Sequence, residues 1–195
     1  MEIILASASP RRKELMHALG IDFKVRESRA DETVDKDLPP YFICEQLSLL
    51  KASFVAAELK SEGLDTIVIG ADTIVVADGT IVTKPKDAED AKKILSSLSG
   101  KWHSVFTGVT IMNTKNAKSE TFYEETKVHF LNLDESMIDA YIKTGEPMDK
   151  AGAYGIQGKG ALFIDRIDGD YFNVVGLPIC RLSRVLKEEF GVACL

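Results

Sequence analysis

The sequence predicts an α/β protein built on one mixed β-sheet, and its patterning, connections and size carry that expectation. Short apolar runs bounded by turn residues alternate along the chain with stretches of helical periodicity. Hairpin-type connections, such as the one around Asp78 and Gly79, are interleaved with crossover-type ones, so the strands cannot all run parallel. The 195 residues, 45% hydrophobic and 28% charged, suffice for one sizeable core and are few for two independent ones. One domain, with room for two lobes, is therefore expected.

Each element has its local reason. Ile3 to Ala6 is an apolar strand. Ser9 is a good helix N-cap and Pro10 fits the first helical position, which predicts a helix running toward Leu19 with Gly20 as its stop. Ile21, Phe23 and Val25 alternate with Asp22 and Lys24 as a second strand, and the polar stretch 27–40 ends in a proline pair and reads as a loop. From Tyr41 to Lys60 a helix is expected, with Ile43, Leu47, Leu50 and Phe54 on its apolar face. Strands follow at 67–76 and 80–83, then a helix capped by Asp87 and ended by Gly100. Two β-patterned stretches, 103–112 and 119–131, flank the polar turn NTKNAK as a hairpin, and Asp134 caps a short helix ending at Gly145. Beyond the glycine-rich segment 152–160, strands are expected at 161–167 and 171–175 around the turn DGD, with a terminal helix after Gly176-Leu177-Pro178.

Composition restricts the partners. With 30 Asp and Glu against 24 Lys and Arg, the formal net charge of -6 argues against a nucleic-acid polymer or an anionic membrane but permits a local basic pocket for a small anion. Cys44, Cys180 and Cys194 are odd in number and lack metal or redox spacing, so they read as reduced thiols of a cytoplasmic protein. No signal-type leader or membrane-length apolar run is present in the sequence.

The chemistry-bearing residues are those that break local rules. Arg11, Arg12 and Lys13 occupy a first helical turn, where the helix dipole disfavours cations by a few tenths of a kcal/mol or more. An anion at that helix start would reconcile them, with backbone N–H groups, hydroxyls and guanidinium forks converging on one phosphate; the competing reading is a solvated basic turn. Asp72 and Thr73 interrupt the apolar strand IVIGADTIVV, and a carboxylate there needs a partner. A three-residue loop at 77–79 would place Asp72 opposite Lys84, whereas a two-residue loop would place Thr73 there; either register brings Lys84 toward Asp72. A purely architectural Asp–Lys pair is the competing account. Lys51 flanks the apolar face of its helix, where an amine either points into a cleft or, more commonly, snorkels along the surface. Asp31 and Glu32 offer oxygen ligands for a hard cation or simply a solvated loop, and Gln157 in the glycine-rich segment offers an amide suited to a base edge. That segment matches neither the Walker A pattern nor the dinucleotide fingerprint, and His17, His103 and His129 are too scattered for a nucleophilic triad.

Together, the stretches SASPRRKEL, Asp31-Glu32, Lys51-Ala52, GADTIV, Lys84-Pro85, LSG at 98–100, MDKAGAYGIQGKGA and VVGLP resemble the Maf family of nucleoside triphosphate pyrophosphatases across nearly the whole chain. The resemblance implies an elongated mixed β-sheet flanked by helices, with two lobes around a central cleft, related to inosine-triphosphate pyrophosphatases. It implies hydrolysis of a nucleoside triphosphate to monophosphate and pyrophosphate with Mg²⁺ or Mn²⁺. By the same resemblance Asp72 is the proton acceptor, Ser7, Ser9, Arg12, Lys51 and Lys84 bind the phosphates, and Glu32 with Asp72 assists the metal. Arg11, Thr73 and Gln157 match the positions that mark the dTTP/UTP branch. A 7-methyl-GTP pyrophosphatase and a nucleotide-binding regulator of cell division without productive hydrolysis are the alternatives, and a homodimer is the expected assembly.

Overall fold

The computed structural model describes residues 1–35 and 37–195. The chain forms two compact units: Met1–Asp72, Thr107–Glu124 and Gly176–Leu195 make the first, Thr73–Phe106 and Glu125–Val175 the second. The strands are β1 (Glu2–Leu5), β2 (Lys24–Val25), β3 (Thr66–Ala77), β4 (Thr80–Val82), β5 (Trp102–Asn113), β6 (Ser119–Phe130) and β7 (Ile164–Asp168). They hydrogen-bond in the order β2-β1-β3-β5-β6-β7, with β4 on β3. β1 pairs in parallel with β2 and β3, whereas β3–β4 and β6–β7 are antiparallel, so the sheet is mixed as expected.

In the first unit, helix α1 (Pro10–His17) begins as its sequence dictates, with the Ser9 side chain accepting the Arg12 N–H and no acidic residue in the first turn. Chain reversal follows at Gly20, whose φ of 67° suits a residue without Cβ. The strand expected at 21–25 shrinks to the pair Lys24–Val25, both exposed at the sheet edge. The loop expected at 27–40 is seen in its described residues up to Pro39, Lys36 lying outside them, and Pro40 already opens the next helix.

Helix α2 (Pro40–Ser61) buries Ile43, Cys44, Leu47, Ser48, Ala52, Val55, Ala56 and Leu59, but the predicted face is rotated. Leu50 is 36% exposed, and Phe54 only partly covered. The cause lies opposite the helix, at two glycines. A Cβ on Gly70 would lie 2.7 Å from the Ala52 nitrogen, and one on Gly108 2.6 Å from the Glu45 nitrogen. Small residues therefore face small residues along this seam, and the bulky side chains sit on its flanks. A hydroxyl chain crosses it: Ser48 Oγ lies 2.8 Å from Thr110 Oγ1, which lies 2.9 Å from Thr121 Oγ1.

The second unit has its own core, in which Val75, Leu95, Val105, Phe130, Tyr154 and Phe163 take part. Helices α3 (Ala88–Leu98) and α4 (Glu135–Ile142) start on Asp87 and Asp134, whose carboxylates accept the N–H groups of Asp90 at 2.8 Å and Met137 at 2.9 Å. The β3–β4 hairpin turns on two residues, Asp78 at φ 49° and Gly79 at φ 75°, with Ala77 paired to Thr80. That excludes the three-residue loop and puts Thr73 in register with Lys84, although ladder pairing ends at Val82.

Two expectations fail nearby. Residues 159–163 wind into a 3₁₀ turn before β7, and 171–175, expected as a strand, form helix α5 (Tyr171–Val175). Asp170 starts that helix: its Oδ1 accepts the Phe172 N–H at 2.8 Å, and its own N–H goes to Thr126 Oγ1 at 3.0 Å. Asn173, fully buried, donates to the Val105 carbonyl and to Thr126 Oγ1, both at 3.0 Å. These long-range partners override the β propensity of YFNVV. Helix α6 (Ile179–Phe190) closes the first unit.

All three cysteines are free thiols; burial, then Asp72 and Glu45, push the Cys44 thiol up to about 12, so it is inert. Among the described residues, no helix is long and apolar enough to cross a membrane.

Candidate active site

The first unit gathers the rule-breaking residues. Ser7, at the end of the apolar run after β1, is buried, and its Oγ accepts both the Ser9 N–H at 3.2 Å and Arg12 Nη1 at 3.3 Å. Arg12 Nε donates to the Gly176 carbonyl at 2.9 Å, which fixes the guanidinium from the far end of the sequence. Burial lowers the Arg12 pKa, opposed by Asp72 and Glu32 and reinforced by Arg11. An arginine in such surroundings is still protonated at any physiological pH. The electrostatic link also places Asp72 and Glu32 in the neighbourhood of the α1 start.

Asp72 closes the first unit's stretch of β3, and its partner is the lysine that sequence reasoning assigned more readily to the surface. Lys51 Nζ donates to Asp72 Oδ1 at 2.6 Å and lies 3.1 Å from Glu32 Oε2. The Lys51 and Asp72 side chains are 13% and 14% exposed, Glu32 50%. Lys51 reaches Asp72 because α2 rides so close to β3 at Gly70, two positions before the carboxylate. Ser7, Ser9, Arg12, Glu32, Lys51 and Asp72 thus form one constellation: cations and hydroxyls at a helix start, beside a paired carboxylate.

The family model for Maf-like proteins matches residues 2–189. The chain belongs to the Maf family. Over 195 residues this Maf chain is 51% identical to the dTTP/UTP pyrophosphatase of Thermoanaerobacter sp. (strain X514), covering 100% of both. It is 52% identical over 187 residues to the dTTP/UTP pyrophosphatase of Bacillus cytotoxicus, covering 96% of this chain and 95% of that one. The structure of the Staphylococcus aureus Ham1 protein aligns with a TM-score of 0.48 at 15% identity, over 67% of this chain and 72% of that one.

The remaining positions expected for a Maf site divide by unit. Arg11 lies on α1, partly buried, and Thr73, Lys84 and Gln157 belong to the second unit. Thr73 is half-buried in β3, whereas Lys84 and Gln157 are exposed on irregular backbone. Sequence reasoning missed the Gly176 carbonyl, since a backbone acceptor has no residue-type signal, and it missed Gly70 and Gly108, whose signal was the glycine within each apolar strand.

The donor set for the divalent cation that Maf membership suggests can be tested on the carboxylates. Asp72 and Glu32 converge on the single Lys51 ammonium. Among the described residues no group of three or more His, Cys, Asp or Glu is suited to a metal. Two carboxylates suffice for Mg²⁺ where phosphate oxygens and waters complete the octahedron, so the residues present fit that ion when it arrives with a polyphosphate.

Proposed function

We propose that this Maf protein is a nucleoside triphosphate pyrophosphatase that hydrolyses dTTP and UTP, and modified pyrimidine triphosphates, to the monophosphate and pyrophosphate. The observation that carries the reading is the Asp72–Lys51–Glu32 cluster beside the Ser9–Arg12 helix start, in a chain about half identical to relatives named dTTP/UTP pyrophosphatase. Water attacks the α-phosphorus in line, the bond from that phosphorus to the α,β-bridging oxygen breaks, and pyrophosphate departs with the bond's electron pair. Asp72 orients the water and takes its proton. Arg12, Lys51, Lys84 and the α1 N–H groups, with Ser7 and Ser9, hold the phosphate oxygens on which charge accumulates. When bound, Mg²⁺ or Mn²⁺ held by Asp72 and Glu32 supplies Lewis-acid neutralisation of that charge.

In the resting site the Lys51 ammonium bridges both carboxylates and offsets one of their two negative charges. Transfer of its ammonium to phosphate frees Asp72 to act as a base. Arg11, Thr73 and Gln157 select the base, and a cytoplasmic homodimer is the working assembly, which light scattering would check. The deciding experiment is a panel of canonical and modified triphosphates with pyrophosphate detection, with and without Mg²⁺ or Mn²⁺. Metal-dependent pyrophosphate from dTTP and UTP is expected. Stoichiometric binding without product would favour a regulator, and preference for 7-methyl-GTP would reassign the base specificity.

A further inference from the structure

The glycine-rich segment that carries Gln157 is held by one carboxylate and one phenol. Glu146 opens the 3₁₀ turn Glu146–Asp149. Its Oε2 accepts the Lys159 N–H at 3.0 Å, while its Oε1 accepts the Gly160 N–H at 3.3 Å and the Tyr141 hydroxyl at 2.9 Å. Tyr141 Oη in turn accepts the Gly155 N–H at 3.1 Å. The amides on both sides of Gln157 therefore end on the same acid–phenol pair. The Gly158 N–H closes the turn on the Gly155 carbonyl at 3.2 Å, enclosing Ile156, which is buried, and Gln157, which is exposed.

The fit has no slack. A Cβ on Gly160 would stand 2.9 Å from Tyr141 Oη, and one on Gly158 would collide with the Glu146 carboxylate. Lys150 Nζ donates to the Glu146 carbonyl at 2.7 Å and so steadies the backbone from which the carboxylate projects. Burial raises the Glu146 pKa, but the Lys159 N–H, the Tyr141 hydroxyl and the Gly160 N–H outweigh it, and the group is an anion at neutral pH. An exposed amide at the apex of a turn has its direction set by the turn's anchors.

We propose that Glu146, with Tyr141, is the positioning residue for base selection, aiming Gln157 by tethering both ends of its loop. The inference rests on Gln157 selecting the base. Its test compares wild type, Glu146→Gln, Tyr141→Phe and Gln157→Ala for kcat/KM on UTP and 7-methyl-GTP, with hydrogen exchange of the amides at 155, 159 and 160 as a second readout. Glu146→Gln should narrow the UTP preference about tenfold, chiefly through KM with kcat on UTP nearly kept, and should speed exchange at 159 and 160. Tyr141→Phe should do the same more weakly and speed exchange at 155. Gln157→Ala should narrow the preference without altering exchange. If Gln157→Ala changes selectivity and neither loop variant does, or if exchange at these amides is unchanged in both, the proposal is overturned. If Gln157→Ala itself leaves selectivity intact, the base-selecting assignment falls and takes the proposal with it. Should Glu146→Gln fail to fold, Tyr141→Phe decides, because it removes only one hydroxyl.

Discussion

Asp72 and Lys51 are each other's solution to burial: a carboxylate that is 14% exposed meets an amine that is 13% exposed. Such a pair contributes little to stability on balance, because its desolvation offsets its attraction, so its presence in a strand is better explained by chemistry. Asp72→Asn keeps a hydrogen-bonding partner for Lys51 while removing the carboxylate proposed as the base. Turnover of dTTP should fall by about 10²- to 10⁴-fold with the melting temperature little changed. Wild-type turnover in that variant would refute the assignment. Arg12→Ala removes a charged donor that Ser7 and Gly176 hold in place, so KM for the triphosphate should rise about 10- to 100-fold, readable by steady-state kinetics. Asp72, Arg11 and Arg12 were legible in the sequence because each violates a local rule, a charge in an apolar strand or cations at a positive helix end. Lys51 was less so, since a lysine on a helix flank has two ordinary destinations and only the tertiary approach chooses.

That approach is a property of α2 and the strands beneath it. Gly70 and Gly108 let the helix backbone descend onto β3 and β5, and the descent brings Lys51 within reach of Asp72. Gly70→Ala should cost about 1–3 kcal/mol, as overpacked cores do, because its neighbours there are backbone atoms that cannot rotate away. A urea midpoint would measure that loss, and activity should fall in parallel as the Lys51–Asp72 contact lengthens. Elements whose signals are local came out as read: α1 on its Ser9-Pro10 cap, α3 and α4 on their aspartates, the hairpin on Asp78-Gly79. The rotated face of α2 and the helical 171–175 did not. In both, the decisive partners lie far along the chain, at Gly108 for the first and at Val105 and Thr126 for the second.

Each unit carries its own core, and that of the second contains a titratable liability. His103 is 3% exposed, with Nε2 2.8 Å from Tyr154 Oη and, among the described residues, no hydrogen-bond partner at Nδ1. Burial, with a smaller contribution from His129, lowers its pKa from 6.5 to about 4. Above pH 6.5 the imidazole is neutral folded or unfolded and costs nothing. Below it the unfolded chain takes up a proton that the folded chain refuses, so stability declines as pH falls and the loss is complete below pH 4. The full penalty is about 3 kcal/mol from the size of the shift. Urea midpoints followed through Trp102, the chain's one tryptophan, should fall across that window, and His103→Gln should flatten the fall.

The tie from Arg12 to the Gly176 carbonyl spans 164 positions of the sequence. Leu195 adds a second tie, its N–H meeting the Leu19 carbonyl at 3.1 Å. Both ties make the start of α1 depend on the segment Gly176–Leu195, which lies far from it along the chain. A variant cut before residue 176 would carry Asp72 and Lys51 yet lack the acceptor that steadies Arg12.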